Sequence, residues 1–282
     1  MKISVITPTL NSARTIRETI QSVVDQDYSD REHIVMDGGS TDATLDMLRS
    51  FPHLIWSSGK DEGHYHAMNK GVEKSTGEIV AILNADDCYR KGALTAVAES
   101  FKAHPEWDAL FGDVVYIDGG GMEIYRREEA CFDYDVLRYG LCIVIHPTLF
   151  MKRSVFDRLG GFNYRKYKNA ADYDLILRLA RERFVVGHIP RLLVNYRIHD
   201  YGQTADKRIQ FNTRRESLII REEHGLKKGV IGMLQVIYGK MRRQGQKLAI
   251  RGKVDLMPGT FYQRKHLREK TNFSSNIGLD RL

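Results

Sequence analysis

A short apolar run, Ile79-Val80-Ala81-Ile82-Leu83, breaks off at Asn84-Ala85-Asp86-Asp87. A strand of that composition has to be buried. Two adjacent carboxylates at its end are costly to desolvate without partners. The chain must therefore fold so that this strand ends at water or at a cation. Hard divalent ions take such oxygens, and Mg²⁺ is typically held by one or two carboxylates together with substrate phosphates. Open α/β sheets bind ligands outside the carboxyl ends of their strands. From this run alone, a solvated Asp-Asp turn is the simpler alternative.

The sequence on either side supplies the rest of such a sheet. Residues 3–7 read as a strand, and Pro8-Thr9-Leu10-Asn11-Ser12 as a loop. Ser12 is a suitable N-cap for a helix to about residue 24, with Ile16, Ile20 and Val23 or Val24 at helical spacing. A second strand over 33–36 ends at Asp37-Gly38-Gly39-Ser40-Thr41-Asp42, and Thr41 or Asp42 can cap the next helix. Further strands are expected at 54–56, 79–83 and 109–116, and helices at 63–74, 91–103 and 172–183. Gly119-Gly120-Gly121 looks like a hairpin turn, and residues 125–150 are mixed. Strands and helices that alternate through short links imply a largely parallel sheet with right-handed crossovers.

Charge is unevenly distributed. Residues 1–200 hold 25 Lys+Arg and 29 Asp+Glu, whereas residues 201–282 hold 18 and 7. A nearly neutral body thus carries a basic tail, which suits an acidic partner such as an anionic membrane or a phosphorylated substrate. Cys88, Cys131 and Cys142 show neither metal-ligand spacing nor a disulfide pattern, so a reducing cytoplasm is the expected location. No leader-like segment precedes the first strand, and no apolar stretch is long enough to span a bilayer.

Three acidic positions stand out: Asp37, the pair Asp86-Asp87, and Asp172. The first two follow strands and share one edge of a parallel sheet. Singly, Asp37 is also a good turn residue, and Asp172 a good first-turn helix residue.

Residues 1–200 resemble the family 2 glycosyltransferases, which have the GT-A fold. The resemblance rests on Val5-Ile6-Thr7-Pro8-Thr9-Leu10-Asn11, Asp37-Gly38-Gly39-Ser40-Thr41-Asp42, Asp61-Glu62-Gly63 with Ala67-Met68-Asn69-Lys70-Gly71, and Thr76-Gly77-Glu78 leading into Asp86-Asp87. Later come His146-Pro147-Thr148, Gly160-Gly161-Phe162, and Ala171-Asp172-Tyr173-Asp174-Leu175 with Arg178. Each fragment is weak alone, but their order and spacing are specific.

The resemblance implies an inverting, metal-dependent transferase that moves one sugar from a nucleotide-sugar donor to a hydroxyl on a glycan or lipid-linked acceptor. Envelope polysaccharide, lipopolysaccharide or glycolipid synthesis is the implied setting. The expected architecture is α/β, a GT-A catalytic domain over 1–200 with a mostly parallel central sheet and a basic helical extension over 201–282. Within it, 1–115 would bind the donor and 116–200 would carry the acceptor side and the base. Asp37 would contact the nucleoside, with Thr7, Pro8, Thr9 and Asn11 lining the same pocket. Of the acidic pair, one member would contact the ribose and the other, Asp87, would hold Mg²⁺ or Mn²⁺. Asp172 matches the general base, with Asp174 two residues on as the alternative. Many relatives place Glu before the base, where this chain has Ala171. The Gln-x-x-Arg-Trp motif of processive synthases is lacking, which favours single addition.

Arg197 and His199 lie where related enzymes carry basic residues toward the diphosphate. Arg197 suits a bidentate phosphate contact, and a strand end with solvated side chains is the alternative. His64 and His66 read as surface or acceptor-loop residues, and His146 as an acceptor contact or packing residue. Cys88 reads as packing. In the tail, an apolar run over 230–238 precedes Lys240, Arg242, Arg243 and Lys247. An interfacial membrane helix with snorkelling cations fits, as does a dimer-forming or core-covering helix. A membrane helix would make the protein peripheral on the inner face.

Two other classes are weighed. A sugar nucleotidyltransferase would usually carry a Gly-rich basic phosphate loop after the first strand, and Thr7-Pro8-Thr9-Leu10-Asn11 is not one. A non-catalytic binding module on the same scaffold is disfavoured by the intact acids. Nucleic acid is not an expected partner, because the basic residues lack interleaved stacking aromatics.

Overall fold

In the computed structural model, which describes residues 1–250 apart from 141, 201, 203 and 204, the alternating pattern becomes a nine-stranded sheet flanked by helices. The first half runs β1 (Ile3–Thr9), α1 (Ile16–Val24), β2 (Arg31–Asp37), α2 (Thr44–Arg49), β3 (Ile55–Ser58), α3 (His64–Lys74) and β4 (Ile79–Ile82). The second half runs β5 (Cys88–Tyr89), α4 (Ala93–Ala103), β6 (Ala109–Ile117), β7 (Glu123–Arg127), α5 (Tyr134–Arg138), a 3₁₀ turn at His146–Thr148, β8 (Leu149–Lys152), α6 (Arg153–Leu159), α7 (Ala171–Arg181) and β9 (Val186–Arg197). Two helices follow, α8 (Lys207–Glu223) and α9 (Gly229–Ile250).

The strand order is β3-β2-β1-β4-β8-β6-β9-β5, with β7 beside β6. From β3 to β4 every pairing is parallel, as the short crossovers require. Beyond β4 the sheet is mixed. β8 runs antiparallel to both β4 and β6, β6 and β9 are parallel, and β5 is antiparallel to β9. β7 folds back on β6 through the Gly119-Gly120-Gly121 turn. The mostly parallel expectation thus describes the first half, while the strands from the mixed segment enter in both directions.

Helix starts are set by turns. The Ser12 carbonyl, not its hydroxyl, receives the N–H groups of Thr15 and Ile16, and α1 begins at Ile16. Asp42 accepts the N–H and hydroxyl of Thr44 at the head of α2.

Period-two alternation sends strand side chains into two cores. Val80 and Ile82 join α3, α5 and α7 in one core, whereas Ile79, Ala81 and Leu83 join α4 in the other. In α3, a Cβ at Gly71 would lie 2.3 Å from Ile6 Cγ2, so glycine lets this helix approach β1 closely.

The tail helices attach differently. α8 buries Ile220 in the first core and presents Glu216 to the N–H groups of Asn169 and Ala170 at the head of α7. α9 packs on α5 through Gly239, beside Tyr139. The sequence suggests that Lys240, Arg242, Arg243 and Lys247 face an anionic surface. Three of them turn inward instead. Arg242 bonds Asp133 at 2.6 Å, Arg243 bonds Glu129 at 2.6 Å, and Lys247 lies 3.6 Å from Glu129. Buried carboxylates need cationic partners, and α9 supplies them.

Candidate functional site

The parallel strands deliver Asp37 and the Asp86-Asp87 pair to one edge of the sheet. Thr9 and Asp37 are directly paired at the ends of β1 and β2. Asp37 Oδ2 accepts N–H groups from Gly39 and Ser40 at 3.0 Å and the Ser58 hydroxyl at 2.6 Å, and Oδ1 accepts the Ser40 hydroxyl. Burial opposes its charge, but the Ser40 and Ser58 hydroxyls and the two N–H groups outweigh that, holding the carboxyl below its usual range.

The loop after β1 is organised around this carboxylate. Asn11 adopts a positive φ of 52°, which asparagine tolerates. Its N–H donates to Ser40 Oγ at 2.7 Å, and its side-chain carbonyl receives the Thr41 N–H at 2.9 Å. Asn11 therefore shapes the pocket wall. Thr7 is buried with its hydroxyl 2.9 Å from His33 Nε2, and Pro8 is buried beside it. Thr9 Oγ1 is different. It is buried and has no partner among the described residues, which leaves a hydroxyl able to meet a ligand beside Asp37.

At the end of β4 the two acids differ in exposure. Asp87 is 1% exposed. One of its oxygens accepts the Arg197 backbone N–H at 2.9 Å, and the other accepts the Asn84 amide at 2.8 Å. Burial and the neighbouring Asp86 charge push its carboxyl well above the usual range, outweighing Arg197 and Asn84. The Asp86 side chain is 32% exposed, with Oδ2 3.0 Å from His199 Nε2. The outward carboxylate is therefore Asp86, backed by Asp87.

Arg197 takes a structural place. Its guanidinium donates to the backbone carbonyls of Asp86 and Gly119 and pairs with Glu18, and its side chain is buried. It braces the acidic turn instead of reaching for a phosphate. His199 stands on Asp86, at the edge of the same turn.

Asp172 opens α7 on the opposite wall. Tyr65 donates its hydroxyl to Oδ1 at 2.6 Å, and His146 Nδ1 lies 3.4 Å from Oδ2. Burial raises the Asp172 carboxyl, but the hydrogen bond and charge of His146 and the Tyr65 hydroxyl bring it below the usual range. His146 Nε2 meets Asn84 Oδ1 at 3.0 Å. A continuous polar chain, Asp172–His146–Asn84–Asp87, thus joins the two acidic walls. The alternative base, Asp174, is buried and bound to Arg178 at 2.8 Å and to Asn163 at 2.9 Å. Both contacts fall on Oδ2, and residues two apart on a helix do not share a face.

The neighbouring histidines divide. His64 packs against Tyr65, and burial lowers its imidazole to about 4, so it is neutral near pH 7. His66 accepts the Glu62 N–H at the head of α3 and stacks on Tyr164. Cys88 has a thiol raised to about 11 by burial, in keeping with packing. The sequence reading did not single out Tyr65, Asn84 or Glu216. Asn84 could have been suspected from its place just before the acidic pair. Nothing local marks Tyr65 or Glu216, because their partners lie 107 and 46 residues away.

The donor set can be matched to a cation by its chemistry. Among the described residues no cluster of three or more His, Cys, Asp or Glu forms a ready cage. One accessible carboxylate with a second behind it suits a hard ion that draws its other ligands from substrate phosphates and water.

Comparison with known proteins gives a consistent picture. The profile described as Glycosyl transferase family 2 matches residues 4–160. A PGL/p-HBAD biosynthesis glycosyltransferase of Mycobacterium tuberculosis is 35% identical over 181 residues, covering 62% of this chain and 68% of the relative. A glycosyltransferase of Nostoc sp. is 30% identical over 215 residues, covering 71% and 65%. Among solved structures, S. aureus TarS 1-349 in complex with UDP-GlcNAc superposes with a TM-score of 0.63 at 19% identity, covering 85% of this chain and 79% of that one. Mannosyltransferase PcManGT from Pyrobaculum calidifontis, in complex with GDP-Man and Mn²⁺, gives 0.59 at 22% identity, covering 90% and 76%. At such identities the structural likeness is one of fold.

Proposed function

The chain belongs to glycosyl transferase family 2 and is a glycosyltransferase; from that premise we propose that it transfers one sugar, with inversion, from a nucleotide-sugar donor to a hydroxyl of a glycan or lipid-linked acceptor. The donor nucleoside lies against Asp37 and the Thr9 hydroxyl. The diphosphate lies at the Asp86-Asp87 turn. The acceptor approaches from the wall that carries Asp172. In this reading residues 1–115 form the donor half and residues 116–200 the acceptor half.

One observation carries the proposal. Two acidic groups of different character, Asp172 and Asp87, are joined through the Asn84–His146 pair. Asp172, held ionised by His146 and Tyr65, takes the proton from the incoming hydroxyl. Tyr65 and His146 fix its direction, and Glu216 fixes the backbone from which it projects. Asp86, with Asp87 behind it, would hold Mg²⁺ or Mn²⁺. Such an ion neutralises the charge that develops on the leaving diphosphate. A base on one side of the sugar and the leaving group on the other give inversion.

Asp172→Asn keeps size and removes proton-accepting capacity. Transfer should fall by roughly 10²–10⁴, the usual share of general acid–base catalysis, while donor affinity stays unchanged. Loss of donor binding in this variant would move Asp172 into the donor pocket and refute its role as the base.

A further inference from the structure

The amphipathicity of α9 is inverted. A helix on the surface of a globular domain normally turns its apolar stripe inward. Here the inward side is small and polar: Gly239, Arg243 and Gln246 face the body, with Gly239 beside Tyr139, Arg243 on Glu129 and Gln246 on Asp133. The outward side holds Val230, Leu234, Ile237 and Met241, at a spacing of three or four residues, with Ile231 and Tyr238 beside them. Val230 and Met241 are 69% and 70% exposed, and Ile237 is 45% exposed. An apolar stripe of this length on a soluble surface marks an interaction site.

We infer that this stripe docks the enzyme on an anionic lipid bilayer, with α9 lying in the plane of the interface. The charge around it selects that occupant. α9 contains no acidic residue. Lys240 is exposed next to the stripe, and Lys227 and Lys228 are exposed just before the helix, with Lys228 3.6 Å from Glu222. The 32 residues after α9 add seven Lys+Arg against three Asp+Glu. A second copy stacked on the same stripe would bring the Lys227 and Lys240 of both copies together with no acid on either α9 to match them. Anionic headgroups match them, and a basic flank beside an apolar helix face is the composition of an interfacial helix. Arg242 and Arg243 hold the helix to the body, so the docked face is rigidly placed. Among the described residues no helix is long and apolar enough to cross a membrane, so the contact is with the surface.

The inference extends the proposed function by placing the acceptor at a lipid surface, but vesicle binding is read without activity and stands or falls separately. The test is flotation of the full chain with phosphatidylglycerol-rich vesicles and with phosphatidylcholine vesicles. Wild type should float with the anionic vesicles, less so at high salt, and only weakly with the zwitterionic ones. Leu234→Glu/Ile237→Glu alters two outward side chains and should weaken binding at least about ten-fold, since each such side chain withdrawn from an apolar phase is worth about a decade or more. A milder variant, Val230→Gln/Met241→Gln, should give a smaller loss in the same direction. Donor hydrolysis should be unchanged in both, which shows that the body is folded. Wild type that fails to float with anionic vesicles would overturn the inference. So would a dimer in vesicle-free buffer that Leu234→Glu/Ile237→Glu converts to a monomer, because the stripe would then be an interface between copies.

Discussion

The ends of β2 and β4 lie two strands apart on one sheet edge, and the fold treats their carboxylates in opposite ways. Asp37 is surrounded by donors from its own turn and from Ser58, and is held ionised. Asp87 has two donors and an anionic neighbour, and is pushed toward its protonated form. The first region carries its own charge compensation, as suits a group that meets neutral hydroxyls of a nucleoside. The second lacks compensation and suits a cation that arrives with the substrate. The same residue type at equivalent places thus takes opposite charge preferences, and the difference lies in the neighbours.

The strongest way to break this contrast is to remove the accessible carboxylate of the uncompensated region. Asp86→Ala should lower transfer by roughly 10³, in line with the loss of one preorganised electrostatic group, and steady-state kinetics at saturating acceptor would read it. A variant that keeps full activity in the presence of chelator would end the cation reading.

A smaller effect is expected from the chain that joins the two walls. His146→Ala removes the hydrogen bond and charge that lower Asp172, so the Asp172 pKa rises. Activity requires the ionised base, and the acid limb of the pH–rate profile should therefore move to higher pH. The rate at neutral pH should fall about ten-fold, with donor affinity intact. An unmoved acid limb would mean that His146 only packs.

The smallest effects are on stability, and they should have opposite signs. The folded pKa of Asp37 is depressed, so its contribution is present above the unfolded value near 4 and is lost as pH falls through the folded value. The stability difference between wild type and Asp37→Asn should shrink below about pH 4. The folded pKa of Asp87 is raised, so without a cation its ionisation penalises the fold as pH rises from about 4 through the folded value. Asp87→Asn should therefore gain on wild type over that rise, by about 1.4 kcal/mol per pKa unit. Thermal unfolding in chelator from acid to neutral pH would show the two trends, and parallel profiles would remove the contrast.

Much of this was legible in the sequence, for a physical reason. Parallel strands buried on both faces leave short apolar runs, each followed by helical spacing, so much of β1 to β4 and the acids at their ends could be read directly. The second half could not, because β7 and β8 are defined by what they pair with and not by local pattern. Asp172 stands out only through motif order, while the Tyr65 and His146 that contact it come from distant segments. Arg197 shows the converse limit. Its type and position suit a phosphate ligand, yet burial among the carbonyls of Asp86 and Gly119 makes it a brace. The helical, basic character of α9 is plain in its sequence, but which side faces inward depends on Glu129 and Asp133, two buried acids more than a hundred residues earlier.

The division of labour between the two acidic walls is the central claim, and donor binding tests it most directly. Once a panel of UDP- and GDP-sugars has identified a ligand for wild type, its affinity should be titrated with and without Mn²⁺ for wild type, Asp86→Ala and Asp172→Asn. Cation-dependent binding of equal strength is expected in wild type and Asp172→Asn, with loss of the cation-dependent part in Asp86→Ala. Equal, cation-independent binding in all three proteins would contradict it.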